Sequence, residues 1–103
     1  MRGESMPGLA TDQDIKSFLN THDRWTRRES GLSCEFTAPS FEKVIALVNS
    51  VAKTAEEMDH HPDIDIRWTS VTFTASTHSA GGITSLDFEL ATAIDAAAAN
   101  CFG

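Results

Sequence analysis

The chain has 103 residues, room for one compact domain and not two. Hydrophobic residues make up 41% and charged residues 22%, an ordinary globular balance that excludes disordered and fibrous classes. Eight Lys and Arg against fifteen Asp and Glu leave a net charge of −7, so direct binding to nucleic acid or to an anionic membrane is not expected.

Residues 1–10 carry one Arg, two Gly and a Pro without an apolar run of signal-peptide type. They read as a flexible tail, leaving 11–103 as a single domain. Thr11 with Asp14 three positions on has capping-box spacing, and Ile15, Phe18 and Leu19 then give one face of a short helix. Asn20 to Asp23 read as its exit. Trp25 to Arg28 is a weak strand, Glu29-Ser30-Gly31 a turn, and Leu32, Cys34 and Phe36 alternate with polar residues as a half-buried strand. Ser40 is the expected N-cap of a long helix whose apolar face runs through Phe41, Val44, Ile45, Val48, Val51, Ala52 and Ala55. That helix must stop near Asp59, because the residue before Pro62 is pushed out of the helical region.

Ile64, Ile66 and Trp68 alternate on even positions, and Val71, Phe73 and Ala75 on odd ones. A two-residue loop at Thr69-Ser70 puts all six on one face, with Trp68 opposite Val71, Ile66 opposite Phe73 and Ile64 opposite Ala75. Trp68 is then expected in the core. His78 ends the second strand, Ser79-Ala80-Gly81-Gly82 is a turn, and Thr84 with Asp87 forms a second capping pair. The last helix runs through Leu86, Leu90, Ala93, Ile94 and Ala97 and ends over Asn100 to Gly103. The order α-β-β-α-β-β-α predicts an α+β fold, a four-stranded antiparallel sheet with three helices on one face.

Three of the four histidines fall at element ends rather than on core faces. His60 and His61 follow the long helix at a turn whose exit Pro62 fixes, and His78 stands before the glycine pair. Imidazole is the side chain that gives and takes protons near neutrality. Exposed loop histidines are the plain alternative. Adjacent histidines point in different directions and lack zinc-ligand spacing, so no metal site is expected. Cys34, inside a strand, is a buried and inert thiol, and Cys101 is far from it, so both read as reduced. Gly81-Gly82 is no phosphate loop, and no cluster of Lys or Arg accompanies the histidines. The ligand these residues suit is neutral, flat and rich in hydrogen-bonding groups.

Glu56, three residues, His60-His61-Pro62, five residues, Trp68, nine residues, His78, eight residues, Asp87 resembles the pterin-4a-carbinolamine dehydratase signature. Weaker similarity extends to Trp25, to the Phe36 to Phe41 junction and to Leu90-Ala91. The resemblance implies removal of water from a 4a-hydroxytetrahydropterin to give the quinonoid dihydropterin, with no metal or organic cofactor. It makes His60 and His78 the proton-transfer residues and gives His61 a part in binding and orienting the pterin beside Pro62. Glu56 either binds pterin amino groups or is a solvated helix acid. Asp87 holds a histidine, satisfies the helix start, or does both. The resemblance also implies a homodimer or homotetramer acting in tetrahydropterin recycling. With no signal peptide or membrane span read in the sequence, the expected location is the cytoplasm. Two alternatives stand beside it. One is a dimerisation cofactor of coactivator type, using an apolar helix face such as Ile94 to Ala98. The other is a pterin-related role in molybdenum cofactor metabolism.

Overall fold

The computed structural model describes residues 8–102. Its elements are α1 (Asp12–Thr21), β1 (Thr26–Arg28), β2 (Gly31–Thr37), α2 (Phe41–Met58), β3 (Asp63–Arg67), β4 (Ser70–Ala75), a 3₁₀ turn at His78–Ala80 and α3 (Ser85–Phe102). The strands form one antiparallel sheet in the order β1-β2-β4-β3. β2 pairs with β4 from Leu32 opposite Ala75 to Thr37 opposite Ser70, so β3 becomes an edge and α2 carries the chain across to it. The inward residues Leu32, Cys34, Phe36, Val71, Phe73 and Ala75 are buried against the helices. The expected α+β architecture is what the chain adopts.

Local chemistry sets the element ends. Thr11 and Asp14 form the reciprocal capping box of α1, with Asp14 N–H on Thr11 Oγ1 at 3.0 Å and Thr11 N–H on Asp14 Oδ2 at 3.2 Å. Upstream of Thr11, the Ala10 N–H donates to the Ile83 carbonyl at 2.8 Å, while residues 1–7 of the expected tail lie outside the described residues. Ser40 caps α2 through Lys43 N–H at 3.2 Å. At its other end, Asp59 takes the left-handed conformation (φ 53°, ψ 43°), and His60 N–H donates back to the Ala55 carbonyl at 3.0 Å. This is a Schellman closure with Asp in the place glycine usually holds. Gly31 is needed for close approach, since a Cβ there would lie 2.9 Å from the Ala75 carbonyl oxygen.

Several expectations need correction. The hairpin register is offset by two residues: Ile66 faces Val71, Ile64 faces Phe73, and the loop is Trp68-Thr69. Trp68 sits at the hairpin tip with φ 55° and 79% exposure, so it is not core. Alternation fixes the parity of a register but not its origin, and a two-residue offset keeps every side chain on its face.

The inward stripe of α2 is Val44, Leu47, Val51 and Ala55. Phe41 and Ile45, assigned to that face, are 50% and 36% exposed, and Leu47 is fully buried. Finally, within Ile94 to Ala98 the residues Ile94, Ala97 and Ala98 are buried against the core, and the exposed apolar residue of the segment is Ala96. The last strand also ends earlier than expected, at Ala75, leaving His78 to open the 3₁₀ turn that Gly81 closes at φ 78°. No helix among the described residues is long and apolar enough to cross a membrane.

Candidate active site

Three element ends meet around one carboxylate. The left-handed Asp59 turns the chain off α2 and delivers His60 inward, where its side chain keeps only 10% of its exposure. The segment after β4 supplies Thr77, and the first turn of α3 supplies Asp87, which is fully buried. Asp87 Oδ1 lies 2.7 Å from His60 Nε2. Asp87 Oδ2 accepts from Thr77 Oγ1 at 2.8 Å and from the Thr84 N–H at 2.9 Å. Asp87 thus satisfies the start of α3 and holds a histidine at once.

His61 points elsewhere, as adjacent residues beyond a helix end do. Its Nε2 is 2.5 Å from Glu56 Oε2, one turn back on α2, and both side chains are more than half exposed. Pro62, half-buried, follows and leads into β3. His78 is exposed and lines a polar groove of about 400 Å³ with Arg28, Ser33, Asp63, Thr74 and Ser76. His60, His61 and Glu56 do not line that groove. His78 is joined to the buried carboxylate only through its neighbour Thr77.

Among the described residues, no three His, Cys, Asp or Glu side chains converge as a metal-binding set. Cys34 and Cys101 are free thiols. Burial first, and then the Asp95 carboxylate, push the Cys34 thiol up to about 12, with Arg24 opposing, so it is no nucleophile near neutrality. Thr77 had no role in the sequence reading. Its only signal is its place before His78, because the partners that give it a role are distant in sequence.

The family model described as pterin 4 alpha carbinolamine dehydratase matches residues 9–97. A Nocardia farcinica protein provisionally named pterin-4-alpha-carbinolamine dehydratase is 52% identical over 87 residues, 84% of this chain and 92% of that protein. One from Roseiflexus castenholzii with the same provisional name is 48% identical over 90 residues, 87% of this chain and 97% of its own. Among solved structures, a transcriptional coactivator/pterin dehydratase from Brucella melitensis superposes with a TM-score of 0.85 at 27% identity, over 88% of this chain and 99% of that one. A pterin dehydratase-like protein identified as a RuBisCO assembly factor in the alpha-carboxysome superposes with a TM-score of 0.60 at 25% identity, over 73% and 87%. Matched along nearly its whole described length, the chain belongs to the pterin 4 alpha carbinolamine dehydratase family.

Proposed function

We propose that the protein is a hydro-lyase that dehydrates a 4a-hydroxytetrahydropterin in tetrahydropterin recycling, by proton transfer between histidines and substrate. The observation that carries this reading is the Asp87–His60 pair, a buried carboxylate holding one ring nitrogen of a histidine that otherwise ends a helix. The reaction breaks the C4a–O bond and forms the C4a=N5 bond. The N5 proton must leave, and the departing hydroxide must gain one to become water. A carboxylate on Nε2 fixes the Nε2–H tautomer and leaves Nδ1 as the proton acceptor, stabilising the imidazolium that forms. We assign His60 as the base toward N5 and His78 as the acid toward the hydroxyl. His61, steadied by Glu56, and Pro62 orient the flat ring, whose amino groups suit the Glu56 carboxylate. The chemistry asks nothing of a metal or an organic cofactor.

The test is the rate at which 4a-hydroxytetrahydropterin loses water with limiting protein present. An acceleration proportional to protein concentration supports the reading, and the uncatalysed rate at every concentration contradicts it.

The same reading includes self-association in the cytoplasm. β3 is an edge strand whose Ile64 and Ile66 are each 38% exposed, next to exposed Trp68 at the hairpin tip. An antiparallel pairing of β3 with a second copy, centred on Ile66, sets Asp65 opposite Arg67 of that copy on both sides of the axis. The exposed Phe41 and Ile45 stripe of α2 is a second apolar surface, and it favours an alternative in which the chain binds another protein. The coactivator and assembly-factor names belong to two neighbours of known structure. Sedimentation of the purified chain separates these: a dimer or tetramer supports self-association, and a monomer at micromolar concentration favours the partner-binding surface.

A further inference from the structure

We propose that Thr77 is a positioning residue for the proposed reaction, acting through Asp87 to fix which nitrogen of His60 carries the proton. The proposal rests on the dehydratase reading for its consequence and on hydrogen-bond direction for its argument. Thr77, Thr84 and Asp87 are all buried, where an unmade hydrogen bond is costly.

Thr77 Oγ1 lies 2.8 Å from Asp87 Oδ2 and 2.8 Å from Thr84 Oγ1. A hydroxyl has one proton, and a carboxylate oxygen that also accepts the Thr84 N–H offers none in return. Thr77 therefore donates to Asp87, and Thr84 donates to Thr77. Thr84 in turn accepts the Leu86 N–H at 3.2 Å. The backbone at the start of α3 thus sets the direction of a chain that runs Leu86, Thr84, Thr77, Asp87. With two donors on Oδ2, the carboxylate cannot rotate without losing both, so Oδ1 stays aimed at His60 Nε2. His60 then donates from Nε2, and its free electron pair lies on Nδ1. Without the Thr77 hydroxyl, one anchor of Asp87 is lost and the two tautomers of His60 come closer in energy.

Thr77→Val keeps the shape of the side chain and removes the hydroxyl, which is both the donor to Asp87 and the acceptor for Thr84, so a packing role and a positioning role separate. Long-range ¹H–¹⁵N correlation spectra of the imidazole nitrogens, recorded on the full chain without substrate, read the tautomer directly. Wild type is expected to show His60 with protonated Nε2 and unprotonated Nδ1 at well-separated shifts. In Thr77→Val the two shifts should move toward each other, with kcat falling roughly ten-fold and KM unchanged, the loss of one buried hydrogen bond. Thr77→Ser should restore both. If Thr77→Val does not fold, Thr77→Ala removes the same donor with less demand on fit and carries the same expectation. His60 shifts unchanged in a folded Thr77→Val or Thr77→Ala protein, or a wild-type His60 protonated on Nδ1, would overturn the proposal. A wild type with the expected tautomer but no dehydration would instead overturn the dehydratase reading and leave the positioning intact.

Discussion

At the scale of single residues, the fold commits a buried carboxylate to three donors at once. Replacing Asp87 by Ala leaves the His60 ring, the Thr77 hydroxyl and the Thr84 N–H without their acceptor. A buried donor left without its acceptor costs about 1–3 kcal/mol, and here three are left at once. For a domain near 100 residues, each kcal/mol moves Tm by about 4–8 °C. Thermal unfolding of Asp87→Ala should therefore fall by well over 10 °C, and a shift within 3 °C would mean the network is not held as described. Cys34 gives a prediction of opposite character. Burial raises its thiol from the ordinary 9.0 to about 12, so above pH about 9 the unfolded chain loses that proton while the folded chain keeps it. The unfolded state then binds fewer protons, so stability falls as pH rises. The contribution is fully present below pH about 9 and is lost progressively toward about 12. Urea midpoints should drop more steeply between pH 8 and 10.5 in wild type than in Cys34→Ala, and parallel slopes would contradict the assignment.

Elements show what was legible in the sequence and what was not. Both helix starts with a Thr three residues before an Asp were readable because capping is local: its partners lie within one turn. The inward face of α2 was not, because Phe41, Ile45, Val48 and Ala52 form an apolar stripe beside the buried Val44, Leu47, Val51 and Ala55. With apolar residues around so much of the helix, periodicity marks a helix without choosing its inner side. The hairpin failed for a related reason: the alternation of Ile64 and Ile66 admitted two loops of equal parity, and neither carries the glycine or asparagine that would decide between them. Of the candidate site, the histidines stood out by their place at element ends. Asp87 stood out only as a helix-start acid spaced from Thr84, its part beside a histidine being implied by the family resemblance. Thr77 depends on a tertiary contact to Asp87 that no local pattern encodes. The end of α2 offers a test of how His60 is delivered. Asp59 holds φ 53°, which glycine adopts freely and a β-branched residue resists by about 1–2 kcal/mol. Asp59→Gly should leave Tm unchanged or slightly higher, and Asp59→Val should lower it by about 4–16 °C. Equal effects of the two would show that the left-handed turn does not constrain the chain.

For the molecule as a whole, the helices cover one face of the sheet while β3 and the outer stripe of α2 leave large apolar side chains exposed. The charge register proposed for β3 makes a specific demand: Arg67→Asp sets like charges opposite Asp65 across the axis and should weaken self-association at least ten-fold by sedimentation. Pairing Arg67→Asp with Asp65→Arg should recover it, and an unchanged association constant in the single variant would exclude this edge. The central claim, that paired histidines at the helix end and beyond the last strand move the protons of a pterin dehydration, is tested most directly by one comparison of initial rates. The variant combining His60→Ala with His78→Ala is assayed for loss of water from 4a-hydroxytetrahydropterin beside wild type, with its fold checked by circular dichroism. The account predicts a fall of about 10²–10⁴-fold, the usual contribution of general acid–base catalysis, and a folded double variant that keeps the wild-type rate would contradict it.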